Sequence, residues 1–214
     1  EVVDLSNAMS ITELCSRIRL PGNALHALVN AAVAAPAART PSAFDGTETQ
    51  WSVNVLAYHR LIVGCSFLLA KADGGARVVN VSSDYVADLP VGLLDLQYSS
   101  RKYDAKKAYA QSKAACRALS WGWHERLIKA GSSIGVMALH PGSVAGTALS
   151  RSLGYNKGKQ PPKLAGLRVA SCVADPLLQG LGGKWFGDSS CSRPATETPG
   201  QCKFMGLPEL CEQL

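Results

Sequence analysis

The chain has 214 residues, 47% hydrophobic and 18% charged, with a net charge of +6 and a pI near 9.0. That length and balance suit a soluble, folded protein with one domain over residues 1–214 and a substantial core, and they exclude a disordered chain. The basic residues (Arg101-Lys102, Lys106-Lys107, Lys157, Lys159, Lys163 and Arg168) form no continuous stripe with aromatics. Solvated faces are therefore expected, with an anionic ligand or surface as the alternative and no nucleic-acid partner.

Strand and helix patterns alternate, which predicts an α/β fold with a parallel sheet. Glu1–Leu5 reads as a short strand, Ser6 as an N-cap and Ser10–Arg19 as a helix. Ala27–Asn30 reads as an apolar strand ending in the small-residue turn Ala31–Pro36. A long helix is expected over Thr47–Ala70, closed by Gly74-Gly75. Its most apolar run, Leu61 to Ala70, is too short to span a bilayer, so no transmembrane segment is expected. Arg77–Ser82 reads as a β-branched strand, followed by a loop of about twenty residues and a helix from about Asp104 to Ala130. Ile134–Leu139 is the next expected strand, ended by His140-Pro141-Gly142. Ser143–Gly166 reads as irregular, Leu167–Ala174 as helix and Lys184-Trp185-Phe186 as a last strand. A loop-rich tail with a short helix at Leu207–Leu214 completes the pattern, and there are no internal repeats.

The seven cysteines, Cys15, Cys65, Cys116, Cys172, Cys191, Cys202 and Cys211, form no C-x-x-C pair and no zinc spacing. Cys15, Cys65 and Cys116 sit in apolar helical patterns and read as core thiols. Cys191, Cys202 and Cys211 crowd the tail, where a disulfide is the alternative to free thiols. The odd count favours a reducing, intracellular compartment.

The most informative segment is Tyr109-Ala110-Gln111-Ser112-Lys113. A tyrosine and a lysine four apart on a helix share one face. At about 4 Å and an effective dielectric near 20, an ammonium offers a phenolate about 4 kcal/mol. That is roughly three pK units, enough to bring a tyrosine from about 10 towards 7. Taken singly, Tyr109 reads as a half-buried helix tyrosine, Asn54 as a polar helix residue and Ser82-Ser83 as a strand end. Their order along the chain gives them weight: strand with Asn30-Ala31-Ala32, helix with Asn54, strand with Ser82-Ser83, Tyr109-x-x-x-Lys113, strand with Pro141-Gly142.

That order resembles the short-chain dehydrogenase/reductase superfamily over essentially the whole chain. Tyr109 follows Ser83 by 26 positions, with Asp95-Leu96 and Tyr103 between. With A-Y-x-x-S-K, A-L-H-P-G and a tail reading G-K-W-F … L-x-E-L-C-E-Q-L, the chain is most similar to the retinol dehydrogenase and WW-domain oxidoreductase group. Light-dependent protochlorophyllide reductases resemble it too, in N-A-A-V at Asn30–Val33. They have a longer insert before the tyrosine and a cysteine after Pro-Gly, where this chain has Ser143.

The resemblance implies a Rossmann-like doubly wound parallel sheet with helices on both faces. It implies hydride transfer between a nicotinamide cofactor, NADP(H) or alternatively NAD(H), and a carbonyl or alcohol of a lipophilic small molecule. Tyr109 would be the general acid/base, and Lys113 would lower its pKa and bond the nicotinamide ribose. Ser83 would bond the substrate oxygen, and Asn54 would anchor a water leading from Lys113 to solvent. Asp4 would face the adenine, and Asn30, Ala31 and Ala32 would lie under its ribose. Pro141, Gly142 and Val144 would line the nicotinamide, with Thr147 bonding its carboxamide or a phosphate. Ala31 and Val33 depart from the common N-N-A-G. The Ser143–Gly166 segment would form a substrate lid.

A Gly-rich phosphate-binding turn should follow the first strand and open the first helix. None does here, and Gly180-Leu181-Gly182-Gly183 comes far too late. The resemblance therefore implies that two strand–helix units, roughly 60 residues, precede the first expected strand in the family. It also leaves a second class open, a non-catalytic dehydrogenase-like scaffold or binding subunit of a larger assembly; on either reading the partners expected beyond a small molecule are further copies in a homo-oligomer or a larger assembly.

Overall fold

The computed structural model describes residues 1–85, 95–144, 146–154, 160–187 and 196–197. Its strands are β1 (Ala27–Asn30), β2 (Arg77–Val81), β3 (Gly135–Leu139), β4 (Trp185–Phe186) and β5 (Thr196–Glu197). They lie in the order β1-β2-β3-β4-β5, with the first four parallel and β5 antiparallel to β4. The helices are α1 (Ala8–Ile18), α2 (Thr49–Trp51), α3 (Ala57–Leu69), α4 (Ala105–Lys129), α5 (Ala148–Ser152) and α6 (Pro162–Ala174). A π-helical turn, Ser52–Leu56, joins α2 to α3.

Side chains alternate across the parallel strands, so each strand buries two faces. Val78 and Val136 pack with Ile11 of α1 and with Ile62, Cys65 and Leu69 of α3. Val79 and Met137 point the other way, into Cys172 and Val169 of α6 and Phe186 of β4. Helices thus cover both faces of a parallel sheet, the α/β fold that the alternation predicts and the Rossmann-like arrangement that the resemblance implies. Cys15, Cys65 and Cys116 are buried free thiols, and so is Cys172.

The structure corrects several expectations. Glu1–Leu5 is not a strand, because β1 pairs with β2 alone among the described residues and offers this segment no ladder. Asn7, not Ser6, caps α1: its side chain accepts from the Met9 and Ser10 amides. Ser6 instead donates its hydroxyl to Asp4 Oδ1 at 2.7 Å. Ser143–Gly166 is not wholly irregular, since it holds α5 and the first turn of α6, where Pro162 takes an early position that needs no N–H partner. Thr196–Glu197 adds a strand to the tail. The Leu207–Leu214 helix, Cys191, Cys202 and Cys211 lie outside the described residues.

The continuous helical stretch Thr49–Leu69 has 21 residues and is long and apolar enough to cross a membrane. Most of its apolar side chains have protein partners instead, with Val63 and Phe67 exposed: Val55 packs on Ala115 and Ala118, Tyr58 on Cys116 and Leu119, and Leu61, Ile62, Cys65 and Leu69 in the α1–sheet core. It is a core helix.

Candidate active site

The strands β1, β2 and β3 end together at one edge of the sheet, the edge where open α/β sheets bind ligands. Asn30–Ala34, Ser82–Tyr85 and His140–Val144 leave the strands there. Asn30 and Asn80 tie the first two: Asn30 Nδ2 donates to Asn80 Oδ1 at 2.8 Å, and Asn80 Nδ2 donates to Ser120 Oγ of α4 at 2.9 Å. Asn30 Oδ1 is buried without a hydrogen-bond partner among the described residues.

α4 brings the tyrosine and lysine to this edge. Asp104 caps it, accepting from the Lys106 and Lys107 amides at 3.0 Å each. From Ala108 to Gly122 the helix is buried on nearly every side, and alanines at 108, 110, 114, 115 and 118 let neighbours approach closely. Tyr109 and Lys113 are both buried. Lys113 Nζ donates to the Val81 carbonyl at 2.7 Å, and Ser82 Oγ donates to the Lys113 carbonyl at 2.7 Å. The ammonium lies 5.9 Å from the centre of the Tyr109 ring and 5.7 Å from that of Tyr58. Burial lowers the Lys113 pKa from its ordinary value and raises that of Tyr58. The simple picture of an ammonium about 4 Å from a phenol thus omits the backbone carbonyl that holds Lys113.

Asn54 sits in the π turn and is fully buried. Its Nδ2 donates to Ala34 O and to Ser112 Oγ, both at 3.0 Å, and its Oδ1 accepts from Ala34 N at 2.9 Å. Four residues on, the Tyr58 hydroxyl donates to Ala32 O at 2.8 Å. The turn after β1 is therefore held from below by Asn54 and Tyr58. π turns are frequent at functional sites, and this one carries a candidate site residue.

Ser83 lies just past β2 and is buried. Its Oγ accepts from Tyr85 N at 3.0 Å, and its carbonyl accepts from Arg117. His140, at the end of β3, is also buried, with Nε2 3.3 Å from Asp84 Oδ2. Burial holds its pKa below the ordinary value, against the pull of Asp84 and with Arg168 and Arg117 adding to the depression.

Pro141 O accepts from Arg168 Nη1 at 2.9 Å. Gly142 has φ +97°, and a Cβ there would lie 2.1 Å from Arg168 Nη1 and from Gln160 Oε1, so only glycine fits. Val144 bridges to Gln160, and Thr147 caps α5 by accepting from Ser150 N at 3.0 Å. Asp4 is exposed, and its carboxylate accepts from Ser6 N and Ser6 Oγ. No described hydrogen bond joins Asp4 to β1 or α4. Asn54, Ser83, Tyr109, Lys113, Asn30–Ala32 and Pro141–Val144 are thus brought to one edge, whereas the described bonds of the Asp4 carboxylate stay within a local turn with Ser6 and Thr147 caps α5. The sequence reading missed Tyr58, Ser112, Arg117 and His140. Spacings of four, Asn54 to Tyr58 and Lys113 to Arg117, were the available signal.

A parallel sheet with a buried Tyr-x-x-x-Lys pair beside a serine at a strand end defines a dehydrogenase-type α/β protein. No family model matches the chain. It is 31% identical over 235 residues to the "Probable oxidoreductase" of Streptomyces antibioticus, covering 100% of this chain and 76% of that protein. It is 31% identical over 212 residues to human retinol dehydrogenase 13, covering 91% of this chain and 62% of that one. The chain thus spans less than two thirds of the length of that relative. The NADPH-bound carbonyl reductase from chicken fatty liver shares the fold, with a TM-score of 0.59 and 23% identity over 86% of this chain and 72% of that one. The chain belongs to the short-chain dehydrogenase/reductase superfamily, in its retinol dehydrogenase-like group.

Proposed function

We propose that the protein containing this chain is an NADP(H)-dependent oxidoreductase that interconverts a lipophilic carbonyl compound and its alcohol. The observation that carries this is the clamp between α4 and β2. Lys113 Nζ to Val81 O and Ser82 Oγ to Lys113 O, each 2.7 Å, set the tyrosine–lysine helix against the strand end that presents Ser83. The names of retinol dehydrogenase 13 and of the NADPH-bound carbonyl reductase support the substrate and cofactor class.

The residues present fit the nicotinamide–ribose end of such a cofactor. A buried ammonium and a buried phenol line the edge beside the backbone of Gly142; at the turn assigned to the adenine ribose, Asn30 Oδ1 is a buried acceptor without a partner among the described residues. The pyrophosphate end has no Gly-rich turn among these 214 residues. When bound, NADP(H) would supply or accept the hydride.

In the reducing direction, Tyr109 would pass its hydroxyl proton to the carbonyl oxygen as the carbon gains hydride, giving the alcohol. Ser83 Oγ already accepts from Tyr85 N–H, which leaves its own O–H to donate to that oxygen and stabilise its growing charge. Lys113 would hold the ribose and steady the tyrosinate, which recovers a proton from solvent. Asn54 would keep the π turn, Ser112 and hence Tyr109 in place. Ser143, in place of cysteine, supports chemistry in the dark.

The test is to incubate the full-length protein with NADPH and a long-chain aldehyde in darkness and follow loss of reduced nicotinamide. Consumption matched by alcohol formation is expected. No turnover with NADPH or NADH across aldehydes, ketones and alcohols would leave the scaffold reading in its place, and a light requirement with a bound chlorophyll precursor would favour the protochlorophyllide reductase reading.

A further inference from the structure

Arg117 lies on α4 one turn beyond Lys113 and two beyond Tyr109. Its guanidinium carbon is 3.5 Å from the centre of the Trp185 ring. Its Nε donates to the Ser83 carbonyl at 3.2 Å, and its Nη2 donates to the same oxygen. The β2–β3 ladder ends one residue earlier, where Ser82 N donates to Leu139 O at 2.8 Å. Among the described residues the Ser83 carbonyl has no strand partner, and it needs a donor from elsewhere. Arg117 is that donor, its guanidinium carbon over a buried indole of β4.

We propose that Arg117 is a positioning residue that fixes the Ser83 peptide and so aims the Ser83 hydroxyl at the reacting oxygen. This rests on the oxidoreductase reading. The Ser83 carbonyl and hydroxyl belong to one short turn, because Ser83 Oγ accepts from Tyr85 N. Releasing the carbonyl lets the turn rotate and takes the hydroxyl with it. One helix would then supply the proton-transfer pair and also hold the strand end that completes the site. Lysine at this position lacks the planar fork and stacks poorly on an aromatic face, so it should replace arginine only in part.

The test is a double-mutant cycle in the full-length protein: Arg117→Met, Arg117→Lys and Ser83→Ala, singly and combined. Steady-state reduction of a long-chain aldehyde and amide hydrogen exchange over residues 81–85 are the two readouts. Arg117→Met should lower kcat about 10- to 100-fold with little change in KM, Arg117→Lys should fall between, and Arg117→Met should add almost nothing in the Ser83→Ala background. Exchange at Asp84 and Tyr85 should quicken in Arg117→Met and partly recover in Arg117→Lys. An equal kcat loss with and without Ser83, or unchanged exchange, overturns the proposal. If even the wild type turns nothing over, the oxidoreductase reading fails, and the exchange arm alone then decides whether Arg117 holds the strand end. If Arg117→Met does not fold, the Lys variant carries both readouts.

Discussion

Asn54 donates to the Ser112 hydroxyl at 3.0 Å, and that bond joins the π turn to the helix of Tyr109 and Lys113. The same side chain brackets Ala34 through both its N–H and its carbonyl. One buried amide thus holds three pieces of the site, the turn after β1, the π turn and α4. Asn54→Ala should leave these partners unpaired in the interior and destabilise the fold by about 2–4 kcal/mol. Urea unfolding followed by circular dichroism measures this directly. A loss under about half a kcal/mol would mean that water replaces the amide without penalty.

Tyr109→Phe removes only the hydroxyl from a buried ring. Turnover should fall by at least about a hundredfold, the usual weight of a general acid/base, while NADPH affinity in the full-length protein changes little. Activity within a few-fold of wild type would sink the assignment of the proton to Tyr109.

Lys113→Met tests a residue with two tasks. Cofactor affinity and turnover should both fall, and a loss of turnover with unchanged cofactor titration would remove the ribose contact. Stability should move the other way. Burial lowers the folded pKa of Lys113 below its ordinary 10.5. Between the folded value and 10.5 the unfolded chain binds more protons, so wild-type stability rises with pH across that window, and below it the penalty is present in full. At neutral pH, Lys113→Met should therefore resist urea at least as well as the wild type, and the difference should shrink as pH approaches 10.5.

How much of this was legible in the sequence follows from which interactions are local. β1 at Ala27–Asn30 and the α4 boundaries within a residue were readable, because a short apolar run, the Asp104 cap and Gly131 (φ 71°) act within a few positions. Tyr109 and Lys113 were readable as a pair because a helix fixes their spacing. Their surroundings were not: the Val81 carbonyl that holds Lys113 lies 32 positions away, and Ser112 lies 58 positions from Asn54. The π turn was hidden because nothing in Ser52–Leu56 breaks a helical pattern; it takes shape with Asn54 packed against both Ala34 and α4. Glu1–Leu5 has the composition of a strand, but a strand needs a neighbour as well as a propensity.

Acid should weaken the fold through three histidines. Burial is the main cause lowering the pKa values of His59, His124 and His140 below their ordinary 6.5. Between 6.5 and the lower folded values the unfolded chain binds more protons, so stability falls as pH drops through that window. Urea midpoints measured from about pH 7.5 to about pH 5 should decline, and His140→Gln should flatten part of the slope. A midpoint that stays level over this range would show that the three rings ionise without cost.

The 214-residue chain by itself should not bind NADPH with micromolar affinity. In this fold, pyrophosphate is held by backbone N–H groups of a Gly-rich turn and by the positive end of the helix that follows. The one glycine cluster here, Gly180 to Gly183, does other work. A Cβ on Gly182 or Gly183 would lie 2.3 or 2.6 Å from the His124 ring, so these glycines let a loop pass over α4. On the proposed reading the edge at Asn30–Ala34, Lys113 and Gly142 would meet adenine ribose and nicotinamide, but without a phosphate anchor most of the affinity should be absent. The outer edge of β1 also has no ladder partner among the described residues, and such an edge invites self-association. Calorimetric or fluorescence titration of the isolated chain, alongside sedimentation, tests both points. Micromolar binding to a cooperatively folding monomer would show that phosphate recognition here uses residues other than a Gly-rich turn.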